Sequence, residues 1–389
     1  TVISILLLLI IARDCKADVL NGIHLVTTLS NSLVPKLFQA LSPGRENLVF
    51  APFGLASNVA MLLEGSDGNT AQEIYKALNI QPKSTDDLRL GFKAYFDSFE
   101  SSAGDEEPAG SFNMAILRSS DVLSPSYKSV LAQYYRANIT DTPVFDNRIP
   151  PSAQVLELRS DSGVMSHWKD YHRLAAFAFL SHVASAPFKR SPSETVQVPM
   201  IPQVGVFRTG RVDHLKCEAV ELPLEAEAVS LLLLVPDSSD HLDEMIVKLS
   251  DVSLQQLVSW LTPKETEVSL PQLAILSSSL DLTTFLRQLG VRAAFNSSSA
   301  DLTKASLSGV GEASKGVYAK SVMQDAYFST SFVAVNSVGS VSVNAVPRRP
   351  KRETSSTLIV DRPFLFFLLH RDTQLAILAG KVQNPTQVP

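Results

Sequence analysis

Cysteine is nearly absent: the 389 residues hold two, Cys15 and Cys217, which excludes a disulfide framework or a cysteine-based metal centre as the source of stability. No uninterrupted apolar stretch approaches the ~20 residues that a membrane-spanning helix needs. Basic charge is not in excess either. The 34 Lys and Arg against 39 Asp and Glu give a net charge of −5, without the basic face that displaces counterions from nucleic-acid phosphates. Catalytic templates are missing as well. There is no Gly-x-Ser-x-Gly elbow and no His-Glu-x-x-His helix, and the phosphate-loop spacing of Gly311 and Gly316 has Val317 where a lysine must reach the phosphates. The seven histidines are scattered: His167 and His172 are five apart, off a common helix face, while His182 and His370 sit in apolar runs as structural histidines would. These absences predict no enzyme, no cofactor, no metal site, and neither nucleic acid nor membrane as partner.

What is present is ample apolar material, 45% of residues against 19% charged, enough for a sizeable core. The chain opens on an apolar run of about ten residues followed by a polar stretch ending at Ala17, the pattern of a secretory signal peptide cleaved before Asp18. Cys15 then leaves with the signal and Cys217 remains as a single thiol. Two acceptor tripeptides, at Asn138 and Asn296, agree with a secreted glycoprotein. Residues 24–42 and 52–78 carry apolar residues at helical spacing, the second interrupted by "EGSDGNT", after which Thr70 caps a new helix. From 196 onward, short β-prone runs take over: "VQVPMI", "EAVELPL", "AVSLLLLVP", "EVSLPQLAIL" and "VAVNSVGSVSVNAV", with one helix, "LDLTTFLRQLG", ending at Gly290. "FLFFLLH" and "AILAGKV" close the chain as two strands. The polar stretch 99–110 reads as loop. Helices first and strands later, without repeat or long linker, predict a single α+β domain.

At residues 46–78, "ENLVFAPFGLASNVAMLLEGSDGNTAQEIYKAL", the chain resembles a serpin: Asn47, Pro52, Gly65, Gly68, Thr70 and Glu73 match the family pattern, with Ala51 in place of the family serine. Further segments follow in family order, including "VQVPMIPQVGVF", "CEAVELPL" and the C-terminal "DRPFLFFLLHRDTQLAILAGKVQNP" with Pro363, Phe364, Gly380, Asn384 and Pro385. The resemblance implies one serpin-like domain over 18–389, after a signal peptide at 1–17. It implies three β-sheets, eight or nine helices and an exposed reactive loop at about 337–360, in a monomer that inhibits a serine protease.

That loop holds "PRRPKRET", whose Arg348, Arg349, Lys351 and Arg352 form a multibasic site suited to trypsin-like or proprotein-convertase-like proteases, since an acidic specificity pocket takes Arg by paired charge-assisted hydrogen bonds. Counting back from Pro363 puts the scissile bond between Arg352 and Glu353; counting from the hinge glycine, Gly339, puts it one residue on. After cleavage, loops of this family insert as a new strand into a sheet, a behaviour for which serpins are the standard example. Here the hinge Gly339, Ser340, Val341, Ser342 is preceded by Ser337 and Val338, where inhibitors of the family carry an acidic pair. A one-residue slip exchanges the faces: one register buries Ser340, Ser342, Asn344 and Val346, the other Val341, Val343 and Ala345. Pro347 and Pro350 suit neither, because proline lacks a ladder donor. The family segment over 179–200 is shortened, and its His-Lys pair ahead of the hinge is missing, with Ser329 and Thr330 falling near that place. Two functions therefore stand side by side: an inhibitor that traps a basic-specific serine protease, and a non-inhibitory serpin cut at the basic site as substrate, carrier or signalling precursor. A pseudo-substrate that binds without trapping lies between them. An intracellular or chaperone-like serpin requires rejecting the signal. No Lys/Arg-rich helix predicts a polyanion site.

Overall fold

Helix α1 (Val2–Leu41) aligns Val26, Leu29, Leu33 and Leu37 on one buried face, the three-to-four-residue spacing of a helix laid on a core. This computed structural model describes residues 2–101, 110–114, 123–139, 154–163, 184–224, 229–306, 317–330 and 356–387. Phe38 of α1 stands edge-on to Phe50 and Phe367, at centroid distances of 4.8 and 6.0 Å, a favoured aromatic geometry. Helix α2 (Pro52–Gly65) starts on a proline, which suits a first turn, and is buried almost all round, so it is the central helix. Helix α3 (Gly68–Leu78) is capped by Asp67, whose carboxylate accepts from the Gly68 N–H. Thr70, expected as the cap, instead accepts from the Asp301 N–H at 2.9 Å and ties α3 to a distant turn. Helix α4 (Thr85–Ser101) crosses α1 where Gly22 faces Gly91; a Cβ on Gly91 would sit 2.2 Å from the Gly22 carbonyl oxygen, so only glycines permit the approach. Helix α5 (Pro125–Tyr135) is capped by Ser124.

The strands are β1 (Leu48–Phe50), β2 (Gly110–Met114), β3 (Gln154–Gly163), β4 (Ala184–Ser191), β5 (Glu194–Val212), β6 (Cys217–Pro223), β7 (Val229–Pro236), β8 (Thr262–Pro271), β9 (Ala274–Asp281), β10 (Val317–Ser329), β11 (Ser356–Ile359), β12 (Phe364–His370) and β13 (Leu375–Val382). Nine form one sheet, β1-β13-β12-β7-β6-β5-β8-β11 with β4 beside β5; the others form a sheet in the order β2-β3-β10-β9. The expected three sheets are recovered because the nine-stranded one is two sheets sharing a strand. Residues 208–212 of β5 pair with β6, residues 194–200 with β4 and residues 200–209 with β8. The two large sheets pack through Phe328 of β10, stacked on Phe366 of β12 at 3.9 Å.

Helices α6 (Leu242–Lys248), α7 (Leu254–Ser259) and α8 (Thr283–Gln288) bring the α-helices to eight among the described residues. Soon after α8 comes Gly290, at φ +105°, a conformation that disfavours side-chain-bearing residues. "EVSLPQLAIL", read as one strand, is two: β8 and β9 belong to different sheets and part at Gln272–Leu273. Of the stretch taken as reactive loop, Ser356–Ile359 is strand β11, running parallel to β8.

The motif residues gain physical roles. Asn47 bridges to the chain's end: its amide donates to the Asn384 carbonyl at 2.6 Å and accepts from the N–H groups of Gln383 and Asn384. Glu73 accepts from the N–H groups of Arg292 and Ala293, each at 2.8 Å, and these bonds hold its carboxyl below the usual range against the opposing effect of burial. Cys217 is buried and free, its thiol pushed up to about 12 by that burial, which leaves it unreactive. Among the described residues no helix is long and apolar enough to cross a membrane, and no group of three or more His, Cys, Asp or Glu side chains is placed to hold a metal ion.

Candidate functional site

The described ends of the loop-bearing segment define the site, since residues 331–355 lie outside the described residues. With them lie the expected hinge Gly339, Ser340, Val341 and Ser342, the basic residues Arg348, Arg349, Lys351 and Arg352, and Glu353. The departure point is fixed by hydroxyl groups. Thr330 donates its N–H to the Leu273 carbonyl, accepts from the Leu273 N–H at 2.9 Å, and donates its hydroxyl to the Pro271 carbonyl at 2.8 Å. Ser329 adds a bond to the Leu273 carbonyl at 3.1 Å. These residues, read as stand-ins near a missing His-Lys pair, thus pin β10 to the break between β8 and β9. The return point is held by Ser356, whose hydroxyl meets that of Thr266 at 2.9 Å, and by the Val360 N–H on the Ser269 carbonyl.

Between these ends, β10 sits in the middle of the four-stranded sheet. It runs parallel to β3, from Val317↔Gln154 to Tyr327↔Gly163, and antiparallel to β9. A chain leaving the C-terminal end of β10 and folding back along it would be antiparallel to β10, and therefore to β3 as well. Such a strand could complete a ladder with both neighbours, but only after β3 and β10 part.

Two side-chain devices oppose parting. Gln324, fully buried on β10, clasps the Ala51 backbone with both ends of its amide: Oε1 accepts from the N–H at 2.8 Å and Nε2 donates to the carbonyl at 2.9 Å. Nε2 also reaches Ser160 of β3 at 3.2 Å. One residue on, Asp325 accepts from Arg159 Nε of β3 at 2.8 Å and from Arg159 Nη2, and its other oxygen accepts from the Ser279 N–H of β9. One carboxylate therefore joins three adjacent strands. Sequence reasoning missed Gln324, Asp325 and Arg159; the sole sequence signal was a polar pair inside the otherwise strand-like run "VYAKSVMQDAYF".

The two glycosylation candidates are both exposed. Asn138 follows α5, and Asn296 lies in a turn in which its Oδ1 accepts from the Ser298 N–H at 2.9 Å.

A family profile described as serpin (serine protease inhibitor) matches residues 28–151 and 178–385; β3 lies between the two matched segments. Serpin B8 of Bos taurus is 25% identical over 364 residues, covering 87% of this chain and 93% of its own length. The leukocyte elastase inhibitor of Homo sapiens is 25% identical over 384 residues, covering 90% and 96%. Among solved structures, native protease nexin-1 with heparin superposes with a TM-score of 0.72 at 19% identity, over 94% of this chain and 100% of that one; maspin gives 0.71 at 17%, over 94% and 100%. These matches correct how the sequence reading set enzymes aside. That reading rested on missing templates alone, and it is replaced by a positive statement from the family match, whose members are described by what they do to an enzyme.

Proposed function

Because the chain belongs to the serpin family of serine protease inhibitors, we propose that it is a secreted, monomeric inhibitor of a trypsin-like or proprotein-convertase-like protease, attacked between Arg352 and Glu353. The observation that carries this is the placement of Arg348, Arg349, Lys351 and Arg352 in the segment joining β10 to β11. Three residues separate Arg352 from β11, so the four chain steps between Arg352 and Ser356 keep a protease engaged there within ~14 Å of the sheet. Arg352 fills the acidic specificity pocket, and acyl transfer to the protease's serine cuts the bond to Glu353. The freed segment, still continuous with β10, folds back between β10 and β3. Parting those strands breaks one ladder, and insertion makes two. Secretion is supported by the apolar start of the chain and by the onset of packing in α1. Among the residues whose burial is described, the first buried one is Gly22, four residues beyond Asp18.

A second reading is favoured by a specific observation. The Gln324 bond to Ser160 of β3 and the Arg159–Asp325 tie hold closed the strands that insertion must part, and Pro347 and Pro350 interrupt the segment that would enter. In that reading the loop is cleaved without trapping. A denaturing gel of the mature chain with trypsin and with a proprotein convertase separates the two. An SDS-resistant adduct with cleavage after Arg352 supports trapping. A clean cut without adduct, and without a rise in melting temperature, leaves the cleaved-substrate reading. Intact mass of the secreted chain, before and after deglycosylation, tests Asn138, Asn296 and the cleavage before Asp18 together.

A further inference from the structure

At the C-terminal end of α1, a lysine is buried with fewer hydrogen bonds than it can make. Lys381 of β13 is 3% exposed, and its Nζ donates to the Ser42 carbonyl at 3.1 Å, just past the last residue of the helix. An ammonium has three donors, and among the described residues this is the hydrogen bond it makes. Ser42 itself is 8% exposed, and its Oγ has no partner among the described residues. A lysine at a helix C-terminus is ordinarily explained by the carbonyls it satisfies. That accounts for the bond to Ser42 O and leaves both the Ser42 hydroxyl and the remaining ammonium protons unexplained.

Both residues line a cleft of about 510 Å³, within the size range of small-ligand pockets. Its apolar wall comes from Phe38, Pro43, Ile246 and Val247. Val247 is 63% exposed, a large aliphatic side chain left uncovered. Four charged groups line the cleft: Lys381, Arg45, Glu46 and Asp243. Glu46 is already engaged, by Arg190 at 2.5 Å and by the Asn384 amide at 2.9 Å. Arg45 is exposed and has no ion-pair partner among the described residues. Burial pulls the Lys381 ammonium below the usual lysine range, and the Asp243 carboxylate acts in the opposite sense. The free cationic groups therefore exceed the free anionic ones, and the buried Ser42 hydroxyl is unpaired among the described residues.

We propose that this cleft binds a small organic carboxylate, its headgroup taken by Lys381 Nζ and Ser42 Oγ and its apolar body laid along Phe38, Ile246 and Val247. A carboxylate supplies the acceptors that the ammonium and hydroxyl lack, in a charge-assisted pair, whereas a neutral apolar guest leaves both unpaired. The site lies on α1, α6 and β13 and is independent of whether the loop traps a protease.

The test uses the full chain with octanoate and its neutral analogue octanamide, by isothermal titration calorimetry at neutral pH. Octanoate should bind at one saturable site at least tenfold more tightly than octanamide. Lys381→Met should bring octanoate down to the octanamide level, and Ser42→Ala should weaken it several-fold. If Lys381→Met does not fold, the acid-to-amide ratio of the unsubstituted chain and the effect of Ser42→Ala decide. Equal affinity for acid and amide, absence of saturable octanoate binding, or binding unchanged in Ser42→Ala and in a folded Lys381→Met would each overturn the proposal and leave Lys381 as a helix-end cap alone.

Discussion

Replacing Arg159 by Met should make the four-stranded sheet easier to open. The Arg159 and Asp325 side chains are 30% and 24% exposed, between the surface pairs that contribute ~0.2–1 kcal/mol and the buried pairs whose rupture costs ~3–5 kcal/mol. A loss of about 1–2 kcal/mol follows, at the lower end because Asp325 keeps its bond from the Ser279 N–H. If parting β3 from β10 limits insertion, that loss appears as roughly a 5- to 30-fold faster opening. The assay mixes each chain with trypsin and measures SDS-resistant adduct against cleaved chain, then the melting temperature of the cleaved product. Arg159→Met should raise the adduct fraction, or, where the unsubstituted chain forms none, raise the melting temperature after cleavage. The control is Lys93→Met, which breaks the i,i+4 pair with Asp97 within α4, outside the Arg159–Asp325 tie, and should change neither. If Arg159→Met lowers stability as expected yet leaves both readouts at their starting values, β3 and β10 are not the strands that part.

Three further outcomes follow from packing and charge. Glu64, its side chain 4% exposed, accepts from Arg89 Nε and Nη2 at 2.8 and 2.6 Å and from the Tyr135 hydroxyl at 2.9 Å. Glu64→Gln should therefore cost about 2–3 kcal/mol by urea unfolding, because charge-assisted bonds contribute ~1.5–3 kcal/mol each and the partly exposed Arg89 recovers some hydration; a loss under ~0.5 kcal/mol would refute the assignment. Gly91→Ala forces a methyl against the Gly22 carbonyl and should destabilise by about 2–3 kcal/mol, while Gly44→Ala meets nothing within 4 Å but sits at φ +74°, so a loss there reflects the backbone alone. Burial holds the His370 imidazole below its usual range, with Asp372 acting the other way, among Tyr95, Phe99 and Thr373. The unfolded chain then binds the extra proton below ~pH 6.5, so this contribution is intact above that pH and is lost as pH falls toward the lower folded value. The urea midpoint should drop between pH 7.5 and 5.5, and His370→Phe should flatten that step; an unchanged slope would place the titration elsewhere.

The elements read most clearly in the sequence are those whose signal is local. The apolar spacing of α2, the runs of β7 and β12, and the stop at Gly290 needed no partner to be recognised. Strand β5 was read too short because Pro202, just past "VQVPMI", looks like a strand breaker. Pro199 pairs with Ser185 of β4, one residue before the β8 ladder begins at Met200, and Pro202 pairs with Ser269 of β8, so both prolines lie inside the ladders rather than at a break. The split of β8 from β9 was signalled by Pro271, but that the two halves join different sheets follows from contacts with Thr330, 59 residues away, which no local pattern encodes.

The candidate site divides along the same line. On the proposed reading a protease takes the basic residues one side chain at a time, so for them sequence is nearly the whole of the signal. On the proposed inhibitor reading, whether the sheet accepts the cleaved segment depends instead on pairs 166 and 164 residues apart, Arg159 with Asp325 and Gln324 with Ser160. Such pairs form only after the chain has folded, and their residue types are ordinary ones on a strand. Glutamine and aspartate inside a buried strand are unfavourable by themselves, and that local cost is what marks them, in retrospect, as held by something distant. It follows that loop chemistry and sheet opening can be changed independently. Substitutions at Arg352 should alter which protease cuts, and substitutions at Arg159 should alter what happens after the cut.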